Sequence, residues 1–403
     1  MLAKPSRQPL RNLLDLPRAI SPSAALSALV AVLVGYSGPL LVLFQAAEKG
    51  GLTQPQLSSW IWAVTVGCGL CAILLSLWYR QPVLCAWGSA GAVLMVTGLT
   101  HFPLPEAIGA YIVAAVAVIL VGVTGVFTRI MNYVPRAIVG GMLAGVLFRF
   151  AIGLFSSLPA SPLLVLAMIA TFFILKRAGM RAPSLGALAI GLLIAGLGGD
   201  IKLGEIRPEL TQPVFTAPVF SLEAIISLSL PLFILTHTSQ NAPGVAVLRN
   251  AGYDTPPDGP ITLTGIASLI TAPFGGHGIN ISALTAAICV NPEAHPDATK
   301  RYSAGVAYGL WYILFGIFGS TVVALFTAVP KALIASVAGL SLLSAITNSL
   351  VTGLDTPAHR DGALVAFMLT VSDIALLGIG APFWGLLAGV IVDSILRFRR
   401  ASG

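Results

Sequence analysis

Charged side chains are scarce in this 403-residue chain, where Asp, Glu, Lys and Arg together make up 9% of the residues. Soluble domains carry about 25%, so this scarcity excludes an ordinary soluble protein. Hydrophobic residues make up 56% instead. Apolar runs of about 17–25 residues, each long enough to cross a bilayer, recur along nearly the whole chain. The sequence therefore predicts an all-α polytopic membrane protein surrounded by the lipid bilayer.

Cysteine is scarce as well, with four residues in the whole chain. Cys68 and Cys71 form a C-x-x-C pattern, which in other contexts indicates redox chemistry or a metal site. Both lie inside an apolar run, with no second cysteine pair and no histidine nearby in the sequence. We therefore predict small buried packing residues, no metal and no cofactor.

The distribution of basic residues along the chain indicates the membrane topology. They give a net charge of +7, but they stand singly or in pairs between apolar runs, so we expect no nucleic-acid partner. Fourteen transmembrane segments are predicted, at 23–46, 57–79, 82–99, 105–127, 135–156, 161–176, 182–198, 221–242, 260–273, 275–290, 300–327, 330–352, 361–379 and 381–397. With the N-terminus inside, the outer loops keep only Lys49, Lys202, Arg207 and Lys331. Both termini are therefore expected in the cytoplasm.

The two halves of the chain resemble each other. GPLLVLFQ around Pro39 aligns with LPLFILTH around Pro231, which places Gln45 opposite His237. Segments 119–125 and 313–319 also match, as do 134–138 and 329–333, and all three offsets are close to 194 residues. A near-constant offset indicates duplication. Because each half holds seven segments, an odd number, the second half should be inverted in the membrane, as in many transporters.

The stretch 273–290, PFGGHGINISALTAAICV, is the centre of the functional prediction. Its glycines predict a non-helical backbone at membrane depth, followed by a half-helix from about Ser282 with Asn280 or Ser282 as its cap. The repeat pairs this stretch with 81–91, QPVLCAWGSAG, and sets Ser89 opposite Asn280. In inverted repeats the positive N-termini of two such half-helices should meet near the membrane centre, which suits a carboxylate.

Two of the five histidines, His237 and His277, fall inside predicted segments. An ionisable group within a membrane is costly and therefore a functional hypothesis, although a neutral, hydrogen-bonded histidine is the alternative. Histidine titrates near neutral pH, so both are proton-coupling and substrate-binding candidates. Neither has an acidic or thiol companion at a suitable spacing, which argues against an enzyme and leaves no catalytic residue to name.

Amide and aromatic side chains complete the candidate binding site. Gln240 and Asn241 follow His237 by three and four residues, on one helical face that should line a cavity or, alternatively, join helices. Their amides suit the orientation of a carboxylate. The other substrate-binding candidates are Gln45, Tyr36 about two and a half turns before it, Trp87 as a stacking surface, and the caps Ser89 and Asn280.

Two further charges lie well within segments, Arg149 in the fifth and Asp373 in the thirteenth. Both are expected in the outer third of the membrane, in late segments of the two halves. We predict a structural ion pair between them. A proton-relay role for Asp373 is the alternative.

Three stretches resemble the benzoate/proton symporter family (benzoate membrane transport, BenE). They are PFGGHGINISA at 273–283, TSQNAPGVAVLR at 238–249 and APFWGLLAG at 381–389. The resemblance extends over roughly 20–397, and that family is in turn similar to the nucleobase/ascorbate and the sulfate transporters.

The resemblance implies a 7+7 inverted repeat with a core and a gate domain, and short strands plus half-helices in segments 3 and 10. The implied domains are core halves (21–128 and 221–328) and gate halves (129–200 and 329–397). The basic residues of 1–20, which surround no apolar core, predict an N-terminal cytoplasmic tail, and an outer linker (201–220) and a C-terminal tail (398–403) complete the chain. The related nucleobase transporters place acidic side chains in the eighth and tenth segments. Here the eighth offers His237, Gln240 and Asn241, and the half-helix of the tenth has no acid, which favours an anionic substrate.

These observations together predict import of benzoate or a similar aromatic carboxylate with protons, across a bacterial inner membrane. A proton-coupled nucleobase or other organic-anion transporter of the same fold is one alternative. A passive anion facilitator or channel is another. Related folds often dimerise, so a homodimer is compatible with the sequence, although no residue pattern indicates it.

Overall fold

The computed structural model describes residues 8–37, 39–132, 135–180, 183–201, 209–319, 321, 328–374, 376 and 381–400. The predicted tails and outer linker lie partly outside this range, at 1–7, 202–208 and 401–403. In the first half the elements are α1 (Pro9–Ala19), α2 (Pro22–Ser37), α3 (Pro39–Lys49), α4 (Gln54–Tyr79), β1 (Cys85–Ala86), α5 (Ser89–His101), α6 (Leu104–Thr124), α7 (Val126–Asn132), α8 (Arg136–Ser156), α9 (Pro162–Arg177) and α10 (Pro183–Leu197).

The second half begins with a long helix, α11 (Leu222–Asn250), which contains two π-helical turns at Ile225–Ser229 and Thr236–Asn241. It continues with α12 (Asp258–Thr271), β2 (Asn280–Ile281), α13 (Leu284–Cys289), α14 (Tyr302–Ile317), α15 (Lys331–Asp355), α16 (Arg360–Val371) and α17 (Ala381–Arg400). The second π-turn carries His237 and both candidate amides. Such turns within α-helices frequently mark functional sites.

Glycines break the predicted tenth segment. A short 3₁₀ turn, Ala272–Phe274, stops at Gly275, whose φ of 97° is accessible to glycine at little cost. Gly278 also has a positive φ, of 144°. The chain then runs through β2 before α13 begins. In the third segment β1 likewise precedes α5, so both segments change from extended to helical midway.

β1 and β2 pair antiparallel, with Cys85 opposite Ile281 and Ala86 opposite Asn280. The helices beside them pack in matching pairs, because α4 lies along α14 and α6 lies along α12. The α4–α14 contact is backbone-close: a Cβ added to Gly69 would lie 2.6 Å from the Gly309 carbonyl oxygen. Antiparallel pairing of corresponding segments is what an inverted repeat requires, and the fold has this architecture.

The helices pack in two groups. One contains α2–α6 and α11–α14, and the other contains α8–α10 and α15–α17. Helices α11 and α13 of the first group touch α8 and α15 of the second. The strand pair lies within the first group.

The exterior is apolar, as a lipid-facing surface requires. Leu120 is 59% exposed, Leu163 73% and Val351 62%. Among the described residues, five helices are each long and apolar enough to cross a membrane alone, or six if the sharply bent pair α1–α2 is one span. The five are α4, α6, α8, α11 and α15. Several predicted segments are shorter or broken, so the count of fourteen stays a prediction.

The expected N-terminal tail is largely a packed helix. From Pro9 to Ala19 it forms α1, bent by 107° from α2. The Asn12 amide donates to the Leu77 carbonyl oxygen at 2.6 Å, and Arg80 pairs with Asp15 at 2.8 Å. The Arg80 hydrogen bond holds the pKa of Asp15 below its usual value. The tail was expected from its basic residues, but it is Asn12 and Asp15 that attach it to the end of α4.

Candidate functional site

The candidate site lies where α5, β2 and the π-turn of α11 meet. A small cavity there, the central cavity, is lined by Gly88, Gly91, Leu232, Leu235, Thr236, Gln240, His277 and Asn280. Its volume is 10 Å³, room for about one water molecule. The sequence-predicted residues Gln240, His277 and Asn280 therefore come together at one place, although Gln240 belongs to a different segment from the other two.

Glycines allow this close approach. A Cβ on Gly88 would lie 3.2 Å from Asn280 Nδ2 and 3.2 Å from Gln240 Cγ. A Cβ on Gly91 would lie 3.0 Å from Leu232 and 3.1 Å from the His277 ring. The first turn of α5 thus faces the cavity with its backbone. The N–H groups of a first turn have no partner within the helix, so they are available to an anion.

His277 is held on both sides of its ring. Its Nδ1 accepts a hydrogen bond from the Trp60 indole N–H at 2.9 Å, and its Nε2 lies 3.3 Å from the Gly88 carbonyl oxygen. Indole N–H only donates and carbonyl oxygen only accepts, which assigns the neutral tautomer with the proton on Nε2. His277 therefore links the segment that precedes β2 to α4 and to the start of α5.

His237 lies on the same π-turn as Gln240 but does not line the cavity. Its ring packs against Phe233 and Phe127, at centroid distances of 4.9 and 5.6 Å. Nδ1 makes one long contact of 3.4 Å with the Asn241 amide nitrogen, and the buried Nε2 has no hydrogen-bond partner in the described part of the chain. An unpartnered buried polar group costs about 1–3 kcal/mol, so it calls for a functional explanation.

The two amides of the π-turn have separate tasks. Asn241 is fully buried and its Oδ1 accepts the backbone N–H of Ile281 at 3.0 Å, so it fixes α11 to β2. Gln240 lines the central cavity and has no hydrogen bond among the described residues. Of the two, Gln240 is the one available to a ligand. Sequence spacing placed both on one face and did not separate these roles.

Trp87 and Tyr36 belong to a buried aromatic cluster. Their rings meet edge to face at 5.7 Å, and Trp87 lies 6.3 Å from the His277 ring. The Tyr36 hydroxyl donates to Thr65 at 2.7 Å, whereas the Trp87 indole nitrogen has no hydrogen-bond partner among the residues that the structure describes. Tyr312, which the sequence did not single out, packs on Tyr36, and its buried hydroxyl has no hydrogen-bond partner within the described ranges.

Some predicted residues lie elsewhere. Gln45 is exposed on α3 and does not line the cavity. Ser89 begins α5 beside the cavity, but its side chain is outside the described part of the structure. Arg149 and Asp373 form a two-pronged ion pair between α8 and the end of α16. Cys68 and Cys71 are free and buried.

Sequence reasoning missed two residues of the candidate site, Trp60 and Tyr312. Trp60 sits in an apolar run with nothing to mark it, and only its 2.9 Å bond to His277 reveals it. Tyr312 in α14 is likewise not marked by any sequence pattern. The repeat offset could have found neither, because both act through contacts between the two halves.

Two half-extended membrane segments that cross at a buried polar site define a membrane transporter. In the described part of the chain no group of His, Cys, Asp and Glu side chains could hold a metal ion.

The family model for benzoate membrane transport protein (BenE) matches residues 18–395, and the chain belongs to this family. Its relatives include the inner membrane protein YdcO of Escherichia coli, 40% identical over 94% of this chain and 97% of that protein. Another is the benzoate membrane transport protein of Acinetobacter baylyi, 39% identical over 94% and 96%. The chain is thus a multi-pass membrane protein and a transporter rather than an enzyme, as predicted.

The fold is shared with a solved structure of murine Solute Carrier 26 family member A9, an anion transporter in its inward-facing state. The TM-score is 0.52 at 14% identity, over 97% of this chain and 71% of that one. At such low identity the likeness concerns the fold alone.

Proposed function

We propose that this protein imports benzoate or a similar aromatic carboxylate together with protons. The observation that carries the proposal is a buried site rich in unused polar atoms and poor in negative charge. Of seven buried side-chain polar atoms without a partner in the described residues, five belong to Trp87, His237, Ser239, Asn280 and Tyr312. No Asp or Glu lines the central cavity.

This chemistry fits an anion with an aromatic ring. The first-turn N–H groups of α5, the Gln240 amide and the Trp87 indole N–H are donors for a carboxylate. The edges and faces of Trp87 and Tyr36 provide a surface for the ring. The family's benzoate relatives support the same substrate class.

The central cavity must widen before substrate enters, because it has room for about one water molecule. We expect the widening to come from relative movement of the two helix groups. In this proposal 21–128 and 221–328 are the core domain, and 129–200 and 329–397 are the gate domain. The α13 residues do not line the cavity, so of the two half-helices it is α5 that meets the carboxylate.

His237 is the proposed proton carrier, because it has one weak contact and a free Nε2, whereas both nitrogens of His277 are engaged. Protonation of His237 next to the binding site would offset the carboxylate's charge. The remaining parts of the proposal are fourteen segments, cytoplasmic termini and a location in the bacterial inner membrane.

The test is uptake of labelled benzoate by liposomes containing the purified protein, with and without an inward proton gradient. We expect accumulation that depends on the gradient and disappears with an uncoupler. Saturable uptake that ignores the gradient would instead indicate a facilitator. Uptake of a nucleobase in competition with benzoate would support the other carrier class, and no benzoate uptake by folded protein would refute the proposal.

A further inference from the structure

A second and larger cavity separates the two helix groups. This inner cavity has a volume of 210 Å³ and is bounded by α8, α11, α13 and α15. It lies where α11 and α13 end, the side that the charge pattern assigns to the cytoplasm. An engineered apolar cavity of about 150 Å³ binds benzene. The inner cavity therefore has room for an aromatic ring with one substituent.

Apolar and polar side chains line different sides of the inner cavity. Leu143 and Leu147 of α8 and Val247 of α11 form an apolar side. Asn291, Arg301 and Asn348 contribute polar groups. Polar and apolar groups thus share the lining about equally, and small-molecule sites likewise combine apolar walls with polar groups that fix orientation.

Arg301 is the unusual member of this wall. The residue is only 8% exposed, and its guanidinium donates to the carbonyl oxygens of Val290 and His295, both at 2.7 Å. A longer bond of 3.4 Å reaches the Pro296 carbonyl oxygen, and the Tyr253 hydroxyl lies beside it. In the described residues no carboxylate lies within ion-pair distance of Arg301. A buried cation without a counter-charge is costly, and an anion in the cavity would supply one.

We propose that the inner cavity is a second binding site for the transported aromatic carboxylate, occupied between the central site and the cytoplasm. The carboxylate pairs with Arg301 and Asn291, and the ring packs on Leu143, Leu147 and Val247. This inference rests on the proposed function, because it takes the same substrate class.

The test uses a single reporter thiol. All four native cysteines are buried, so Asn348→Cys, on the exposed edge of the cavity, would carry the reactive thiol. We expect benzoate to slow maleimide labelling at this position about tenfold, and neither benzyl alcohol nor acetate to do so. Thr347→Cys, the exposed neighbour outside the cavity, is the matched control and should not be protected.

Two further changes locate the bound anion. In the Asn348→Cys protein, the additional change Arg301→Gln should raise the benzoate concentration that gives half-maximal protection from maleimide about tenfold or more, as expected for loss of a charged hydrogen bond. Arg301→Lys should restore most of the protection. Because Arg301 also joins loop carbonyls, Ala251→Phe provides a second variant, which fills the half-buried edge of the cavity and should abolish protection without touching the guanidinium.

A closing movement triggered from the central site would also protect the reporter. Gln240→Ala weakens the central site, so protection that vanishes with this change but survives Arg301→Gln and Ala251→Phe would overturn the inner site. Absence of protection in protein that transports benzoate would overturn it as well, and would leave the proposed function standing. Protein that is folded but transports no aromatic carboxylate would refute the proposed function itself.

Discussion

Two buried histidines in this chain differ in how fully they are bonded. His277 has a partner on each ring nitrogen, whereas His237 has one contact of 3.4 Å and an Nε2 without a partner among the described residues. We expect His237→Ala to abolish accumulation driven by a proton gradient while benzoate exchange between the two sides continues. The measurement is uptake against counterflow in liposomes.

His101→Ala is the matched control, since that histidine is exposed at the end of α5. Trp60→Phe removes the hydrogen-bond donor to His277. We expect this change to lower the free energy of unfolding by about 1–3 kcal/mol, seen as a lower melting temperature, without altering the coupling to protons. Gradient-driven accumulation by His237→Ala would remove this residue from the coupling role.

Gln240 and Gln45 form a second contrast between residues. Both were predicted to bind substrate, but Gln240 lines the central cavity and Gln45 is exposed. We expect Gln240→Ala to weaken benzoate binding about 10- to 100-fold, the effect of losing a hydrogen bond to a charged group of about 1.5–3 kcal/mol. Equilibrium binding of labelled benzoate in detergent measures it. A comparable loss in Gln45→Ala would mean that the binding site extends to α3.

Among the elements, α8 and α16 are joined by the ion pair of Arg149 and Asp373, whose side chains are 45% and 55% exposed. Arg149→Glu would set two carboxylates against each other, costing about 1 kcal/mol or more where lipid replaces water. We expect either single reversal to reduce the yield of monodisperse protein, and the double reversal to restore it. Independent effects of the two changes in gel filtration would contradict the pairing.

The broken elements show what periodicity can and cannot predict. Glycines at 275, 276 and 278 correctly predicted an irregular backbone, because few other residues adopt the φ of 97° and 144° found there. The π-turn at Thr236–Asn241 was not predicted, since its six residues, THTSQN, are all polar and carry no apolar periodicity from which a helix type could be inferred. Of the polar residues on this turn, Thr236 and Gln240 line the central cavity and His237 does not.

At the scale of the molecule, the two helix groups meet through few polar contacts. One is the Ser184 hydroxyl of α10, which donates to Glu293 at 2.7 Å in the loop after α13. Burial raises the pKa of the Glu293 carboxyl above its ordinary value of 4.5, with Ser184 and Lys176 opposing the shift. Because the folded-state pKa is raised, this group's contribution to stability is complete below the ordinary value and is lost as pH rises through the raised pKa.

We therefore expect the melting temperature to fall as pH rises through that window, and Glu293→Gln to remove this part of the dependence, because an amide stays neutral. Thermal unfolding in detergent between about pH 4 and 8 measures it. Glu223→Gln, an exposed carboxyl at the start of α11, is the control. A pH dependence unchanged in Glu293→Gln would show that the contact between the groups does not titrate.

The whole fold was more predictable than the site. Apolar runs and the repeat offset gave the helix order and the inversion, because burial in lipid leaves a strong periodic signal. The relation between Trp60 and His277, or between Asn241 and Ile281, depends on side chains that meet across 217 and 40 residues. No local pattern encodes such meetings.

The antiparallel pair of β1 and β2 contains one strand from each half of the inverted repeat. Exchanging the halves would turn an arrangement open to one side into an arrangement open to the other, built from corresponding contacts. If two such states had equal free energy, neither side of the membrane would be favoured by the protein itself. For the proton-coupled import proposed above, net flow would then follow the gradients alone, and a cell whose proton gradient fails would lose the substrate it had accumulated.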